Sequence, residues 1–322
     1  MNILHFVHIP KTAGTSFRLA AEEAFSSSSI EYDYGANSSE TTPLVKKELY
    51  DAEPDFYDFS RCLTSSRKKM VCGHFNVNRF LPVLGIEDTV AFLREPLQRM
   101  LSEYAHFLRH YGFKGSFYDF FSRPAMINRQ SRILSKIDVE SFGFLGLTEK
   151  YEKSLEVFNK RYSSSLPVRN YNRGGISLEK DLKVSDEHIS DFYALNKRDV
   201  NLYSSACVLF DSRYSAFQNN DTWAHARLVE AKPGRVAGWA WWEGEREDPV
   251  LIEVWANDQY LGAAKALEFR PALCRLRPPR GGYVGFHLPV KLAVGDKVQC
   301  RVASTGQCFP INPRSVTKPE AK

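Results

Sequence analysis

The 322-residue sequence has no run of about 20 consecutive apolar residues, the length a helical membrane span needs. A basic leader segment is missing too. The first apolar run, Ile3–Val7, is short and passes straight into a polar loop, so no secretory signal is read and a cytoplasmic protein is expected. The six cysteines, at 62, 72, 207, 274, 300 and 308, include no CxxC pair, and no His/Cys cluster has zinc spacing. Free buried thiols and no metal are therefore expected. A large charge excess is also lacking: the net charge is +5, with 28 Lys+Arg against 27 Asp+Glu in residues 1–219 and 15 against 11 in 220–322. That is too mild to imply a nucleic-acid partner. What remains is an ordinary globular composition, 43% hydrophobic and 25% charged, long enough for two domains.

Short apolar runs alternate with helical patterns over the first two thirds. Ile3–Ile9, Lys69–Phe75 and Thr89–Leu93 read as strands, and Thr15–Phe25 as a helix. Ser26–Thr42, polar and opened by four serines, reads as a loop. Pro96 suits a first helical turn, and Leu97, Leu101, Tyr104, Ala105 and Leu108 follow at helical spacing. Residues 143–158 read as strand, turn and helix with Thr148 as the cap, and 185–213 as helical. This alternation predicts an α/β domain with a mainly parallel sheet. After about Asn219, short β-rich runs punctuated by Gly, Pro and Asp predict a smaller, all-β, sandwich-like domain. The expected division is 1–218 and 219–322.

The stretch HIPKTAGTSF, residues 8–17, sits where the first strand turns into the first helix. Such a turn presents free backbone N–H groups and the positive end of a helix dipole, which together favour an anion. Gly14 permits close backbone approach, Thr12, Thr15 and Ser16 bring hydroxyl donors, and Lys11 brings a full charge. The GxxxxGK[ST] pattern of ATP and GTP sites does not fit, because Lys11 precedes Gly14. A plain packing turn is the alternative. A second stretch, FLREPLQRMLSEY at 92–104, ends a buried strand with Arg94 and places Ser102 on the helix behind it. An arginine at a strand's carboxyl end faces the crevice where α/β sheets bind ligands, and with a hydroxyl it can clamp a second phosphate. An Arg94–Glu95 surface pair is the alternative.

PKTAGTS followed by LREPLQRMLSEY resembles the paired phosphate motifs of carbohydrate sulfotransferases that use 3′-phosphoadenosine 5′-phosphosulfate (PAPS), in the group of heparan sulfate 2-O-sulfotransferase. GFLGLTEKYEKSL and NKRDVNLYSSACVLF also resemble later segments of that family. The resemblance covers roughly residues 3–213. It implies a P-loop-like three-layer domain, with Lys11, Thr12, Ala13, Gly14, Thr15 and Ser16 around the 5′-phosphosulfate and Arg94 and Ser102 on the 3′-phosphate. It implies in-line transfer to a saccharide or glycolipid hydroxyl, with Lys11 on the leaving oxygen, and makes the Gly–His pair ending in His74 the source of the general base.

His74 is otherwise a strand-end histidine, and Glu95 is the second candidate base. His5 and His8, flanking the first loop, read as structural. His106 and His110, four apart on a helix, read as a solvated face without a third ligand. Arg129 and Arg132 lie in a segment that resembles the family's acceptor-facing one, and surface positions are their alternative. In the second domain Trp239, Trp241, Trp242 and Trp255 fall within 17 residues. They fit sandwich core or a sugar platform, and the arginines at 270, 275, 277 and 280 fit a solvated loop or an acidic-glycan grip. A small-molecule kinase and a non-catalytic glycan-binding protein are the competing functions, and a homo-oligomer is left open.

Overall fold

In the computed structural model, which describes residues 3–51, 53–169 and 184–317, the early apolar runs form one five-stranded sheet. Its strands are β1 (Leu4–Val7), β2 (Ile30–Asp33), β3 (Met70–Gly73), β4 (Thr89–Leu93) and β5 (Phe144–Leu147), in the order β2-β3-β1-β4-β5. All pairings are parallel, with His5 opposite Val71 on one side and Thr89 on the other. β1, β3, β4 and β5 are buried along their whole length, as unbroken apolar strands of a covered parallel sheet should be.

Among the described residues, α-helices stand in the four regions expected from the sequence pattern and in five stretches outside them. They are α1 (Gly14–Phe25), α2 (Pro43–Leu49), α3 (Phe56–Ser65), α4 (Leu81–Leu84), α5 (Pro96–His110), α6 (Phe117–Phe121), α7 (Arg129–Ile133), α8 (Tyr151–Arg161), α9 (Asp186–Leu195) and α10 (Lys197–Gln218). Phe17 of α1 is fully buried, with ring centroids 4.4 Å from Phe6, 5.2 Å from Phe92 and 5.0 Å from Phe158. One side chain thus joins β1, β4 and two helices.

Two expectations are corrected. The stretch read as a loop, Ser26–Thr42, contains strand β2. Its inward positions include acids: Glu31 pairs with Lys68 at 2.6 Å and Asp33 with Arg79 at 2.6 Å. These buried carboxylates hide the apolar pattern by which a strand is recognised. Thr148 does not cap α8, because Lys150 stands at that position. The Thr148 hydroxyl instead donates to the Leu93 carbonyl at 3.0 Å, tying β5 to β4.

The chain divides into two compact units, residues 1–139 with 144–210, and residues 140–143 with 211–322. The division falls within α10, where the expected one stood at its end. The second unit is all β. β6 (Ala224–Lys232), β7 (Arg235–Trp242), β10 (Glu268–Phe269) and β11 (Tyr283–Leu288) make one antiparallel sheet. β8 (Leu251–Ala256), β9 (Gln259–Lys265), β12 (Lys297–Val302) and β13 (Cys308–Ser315) make another. Alternate residues of both, among them Leu228, Val236, Trp242, Ile252, Val254, Val298 and Cys300, form a common core.

Truncating the residue at the centre of the first unit tests this packing. Phe17→Ala is expected to cost that unit about 3–5 kcal/mol, read from the urea unfolding midpoint. A loss below about 1 kcal/mol, the range of tolerated surface changes, would contradict the central place given to Phe17.

Candidate active site at the carboxyl edge of the parallel sheet

Parallel pairing sends all five carboxyl ends to one edge. β1 and β4 are neighbours there, yet the chain from β1 returns towards β2 while that from β4 goes on to β5. The connections diverge at this point, which opens a crevice between the two strand ends.

His8–Ala13 fills the β1 side. Lys11 and Ala13 have positive φ, 68° and 64°, and turn the chain sharply into α1. Ala13 offers no side-chain cap, and the first turn of α1 carries no acidic residue. The positive end of the helix therefore has no carboxylate of its own helix to offset it. Two expectations change in detail. Thr12 is buried and its hydroxyl donates to the Ile9 carbonyl at 2.9 Å, so it shapes the loop instead of facing a ligand. Gly14 is small for an internal reason: a Cβ there would lie 2.0 Å from His8 Cδ2 and 2.3 Å from Nε2. Lys11 and Thr15 are half-buried, and Ser16 is buried in the first turn.

Arg94 enters from the β4 side, with Nη1 3.5 Å from the Lys11 carbonyl oxygen. Its backbone is clasped by the buried Gln130 side chain: Arg94 N donates to Oε1 at 3.0 Å, and Nε2 donates to the Arg94 carbonyl at 2.9 Å. Gln130 is held in turn by the Asp199 carboxylate, which accepts from the N–H groups of Gln130 and Ser131 at 3.1 and 2.8 Å. Ser102 is half-buried on α5. Glu95, the second candidate base, is a helix cap: its carboxylate accepts from Gln98 N at 2.8 Å and from the Tyr193 hydroxyl at 3.2 Å.

His74 follows β3. Its ring stands edge-on to His8, centroids 4.4 Å apart, and to Tyr34 at 4.9 Å. Packing against these groups strips water from part of the ring and lowers its pKa to about 4, and the Arg129 charge adds to the shift, although the residue as a whole is exposed. His5 and His8, expected to behave alike, part company. His5 is fully buried, stacks on Phe75 and bonds Thr89 through Nδ1 at 3.1 Å; burial lowers its pKa to about 3. His8 faces the loop, bonded through Nδ1 to the Tyr34 hydroxyl at 3.0 Å.

A cleft of about 470 Å³ opens beside the loop, with Pro10, His74, Phe107, Met126, Arg129 and Arg132 among its walls. It brings His74, Arg129 and Arg132 together. Glu103 holds Arg99, only 1% exposed, at 2.5 Å through one oxygen and Arg129 through the other. Two guanidinium groups share one carboxylate, so the triad keeps a formal charge of +1 beside the cleft. Arg132 donates to the Pro124 carbonyl at 2.6 Å, and its own carbonyl accepts from Asn76 at 2.9 Å.

Elsewhere the alternatives separate. The rings of His106 and His110 lie 4.6 Å apart, and among the described residues no group of three His, Cys, Asp or Glu is placed to hold a metal ion. Trp239, Trp241 and Trp242 are buried, whereas Trp255 is half-buried under the Arg301 guanidinium, 4.4 Å from its ring. Arg270 donates to the carbonyls of Gly238 and Phe286, and Arg280 to that of Ala266; Arg275 and Arg277 stay exposed. Among the described residues, no helix is long and apolar enough to cross a membrane. Comparison with protein-family models, with curated proteins and with solved structures finds no match.

Two outcomes follow from these environments. The pKa values of His5 and His74 lie near 3 and 4 in the folded chain, and burial holds that of His8 well below its usual value. In the unfolded chain they lie near 6.5. The unfolded state then binds the extra protons, so stability falls as pH drops from about 6.5 towards 4, with His5 alone contributing up to about 1.4 kcal/mol per pH unit. Urea midpoints at pH 7.5, 6 and 5 should show this slope, and His5→Leu should reduce it; an equal slope in the variant refutes the assignment to His5. Separately, Glu103→Ala leaves Arg99 buried without its carboxylate and is expected to cost about 3–5 kcal/mol, measured by the same unfolding assay; near-neutral stability would mean that water reaches Arg99.

Proposed function

We propose that the first unit is a PAPS-dependent sulfotransferase with a P-loop-like donor site, acting on a hydroxyl of an acidic saccharide or glycolipid. The observation that carries this reading is the approach of Arg94 to the Lys11 carbonyl across 83 residues of sequence. It brings the Lys11 loop and Arg94 side by side at the crevice between β1 and β4. The uncapped start of α1 and the cations Lys11 and Arg94 suit a ligand with two separated phosphate groups.

PAPS, when bound, supplies a sulfuryl group carried on a phosphate leaving group. The backbone N–H groups around Ala13–Ser16 and the Lys11 ammonium hold the 5′ end and stabilise the charge that collects on the leaving oxygen. Arg94, aided by Ser102, holds the 3′-phosphate. Arg129 and Arg132 take the acceptor's acidic group, matching the surplus charge at the cleft. His74 borders the same cleft and is neutral at pH 7, the form that accepts a proton from the attacking hydroxyl.

Calorimetry with 3′-phosphoadenosine 5′-phosphate tests the donor site directly. The protein should bind this bisphosphate more tightly than ADP, and Lys11→Ala and Arg94→Ala should each weaken it by about tenfold or more, the scale of a lost charge-assisted contact. His74→Ala should bind normally while turnover falls by about 10²–10⁴. Absence of bisphosphate binding by the unmodified protein would overturn the reading.

A further inference from the structure

The proposed reaction leaves one buried polar group of the site unused. His8 is 7% exposed, and among the described residues its side chain has one hydrogen-bond partner, the Tyr34 hydroxyl, at Nδ1. Its Nε2 edge lies over Gly14, the first residue of α1, so closely that a Cβ there would collide with it. One face of the ring stacks on Phe6, centroids 5.7 Å apart, and His74 meets it edge-on at 4.4 Å. An imidazole nitrogen without a hydrogen-bond partner among the described residues, in a residue more than nine-tenths buried, thus stands at the helix terminus where the loop ends.

The proton on this ring can be placed from its neighbours. The buried Cys72 thiol lies 3.6 Å from the Tyr34 hydroxyl, and burial raises its pKa to about 12, so it keeps its proton. A thiol is a poor acceptor and an imidazole nitrogen a good one. The Tyr34 O–H therefore donates to His8 Nδ1, and the ring proton stands on Nε2, towards Gly14. A protonated His8 would set a buried positive charge against the start of α1, beside His74 and Lys11, so the neutral ring is favoured.

We propose that His8 is a further catalytic residue: a neutral imidazole, fixed by Tyr34, whose Nε2–H donates to the anion held at the start of α1. This rests on the sulfotransferase reading for the identity of that anion, a sulfuryl group between phosphate and acceptor oxygens. In the transfer, the acceptor oxygen bonds to sulfur as the sulfur–oxygen bond to phosphate breaks. The electron pair stays on the phosphate oxygen beside Lys11, and the acceptor's proton passes to His74. His8 keeps its proton and gives only a hydrogen bond. A neutral donor serves here because a charged one would repel Lys11, and His74 once that ring has taken the acceptor's proton.

Nitrogen-15 NMR of histidine-labelled protein tests this without an acceptor. His8 should show the Nε2–H tautomer with an unprotonated Nδ1, unchanged from pH 8 to pH 5. Its Nε2–H resonance should move when inorganic sulfate is added with the bisphosphate. An Nδ1–H tautomer, titration near pH 6.5, or a resonance unmoved while the bisphosphate binds would overturn the proposal. Tyr34→Phe should allow exchange between tautomers, and a fixed Nε2–H in that variant would contradict Tyr34 as the anchor. His8→Phe, which keeps the ring packing, should bind the bisphosphate within about threefold but slow PAPS hydrolysis about 10²-fold; unchanged hydrolysis would remove the catalytic role. A protein that binds no bisphosphate, yet shows the fixed tautomer, separates failure of the sulfotransferase reading from failure of the His8 geometry.

Discussion

Everything at the carboxyl edge of the first unit depends on β1 lying between β3 and β4 in parallel register. That one pairing fixes where three loops emerge. His74 comes from β3, the His8–Ala13 loop from β1 and Arg94 from β4, so the β1 loop emerges between the other two. The register is held by apolar burial on both faces of β1, with Phe6 against Phe17 on one side and His5 against Phe75 and Phe80 on the other. A shift of one residue would exchange these faces, which sheet packing strongly opposes.

Packing alone would not aim the polar groups. Arg94 is aimed by hydrogen bonds that run away from the site, to Gln130 and then to Asp199 at the start of α10. Asn128 adds to the same link, donating its side-chain N–H to the Leu195 carbonyl and accepting from Arg198 N. This network fastens the short α7, and α7 carries Arg129 and Arg132 into the cleft. Arg94 and the cleft arginines Arg129 and Arg132 therefore share one support. An error in the placement of α7 would disturb both ends of the crevice together.

The parts of this arrangement legible in the sequence are those that leave a periodic or positional trace. β4 and α5 follow their apolar pattern, and Arg94 and His74 are marked by their places at strand ends. Strand β2 left no such trace, because Glu31 and Asp33 occupy buried positions and are paired by Lys68 and Arg79 from distant segments. Gln130 and Asp199 were equally silent. Their contacts join residues 36 and 69 positions apart, and neither is distinguishable by type from a surface residue. His8 could be seen beside the loop, but nothing in its neighbours along the chain separates it from His5. Only the rings of Tyr34 and His74 do so, and both arrive from other strands. In the second unit the tryptophan cluster marked a core as well as it could mark a sugar platform, and burial of three of the four decides for core.

The electrostatics of the first unit divide its work. Lys11, Arg94 and the Arg99–Glu103–Arg129 triad keep positive charge at the crevice, while the two imidazoles stay neutral. Were both protonated, unit charges 4.4 Å apart would repel by about 4 kcal/mol at an effective dielectric of 20, before any penalty for burial. On the proposed reading the cations therefore hold the anion, and the rings handle protons and hydrogen bonds without competing for it. The low proton affinity of His74 has a second consequence on the proposed reading. Burial and Arg129 together depress it. An acidic acceptor seated against Arg129 offsets that cation and raises the affinity of the ring for a proton. The base is then weakest in the empty cleft and strengthens as the acceptor arrives, so proton abstraction is coupled to occupancy by the charge that Glu103 leaves uncompensated.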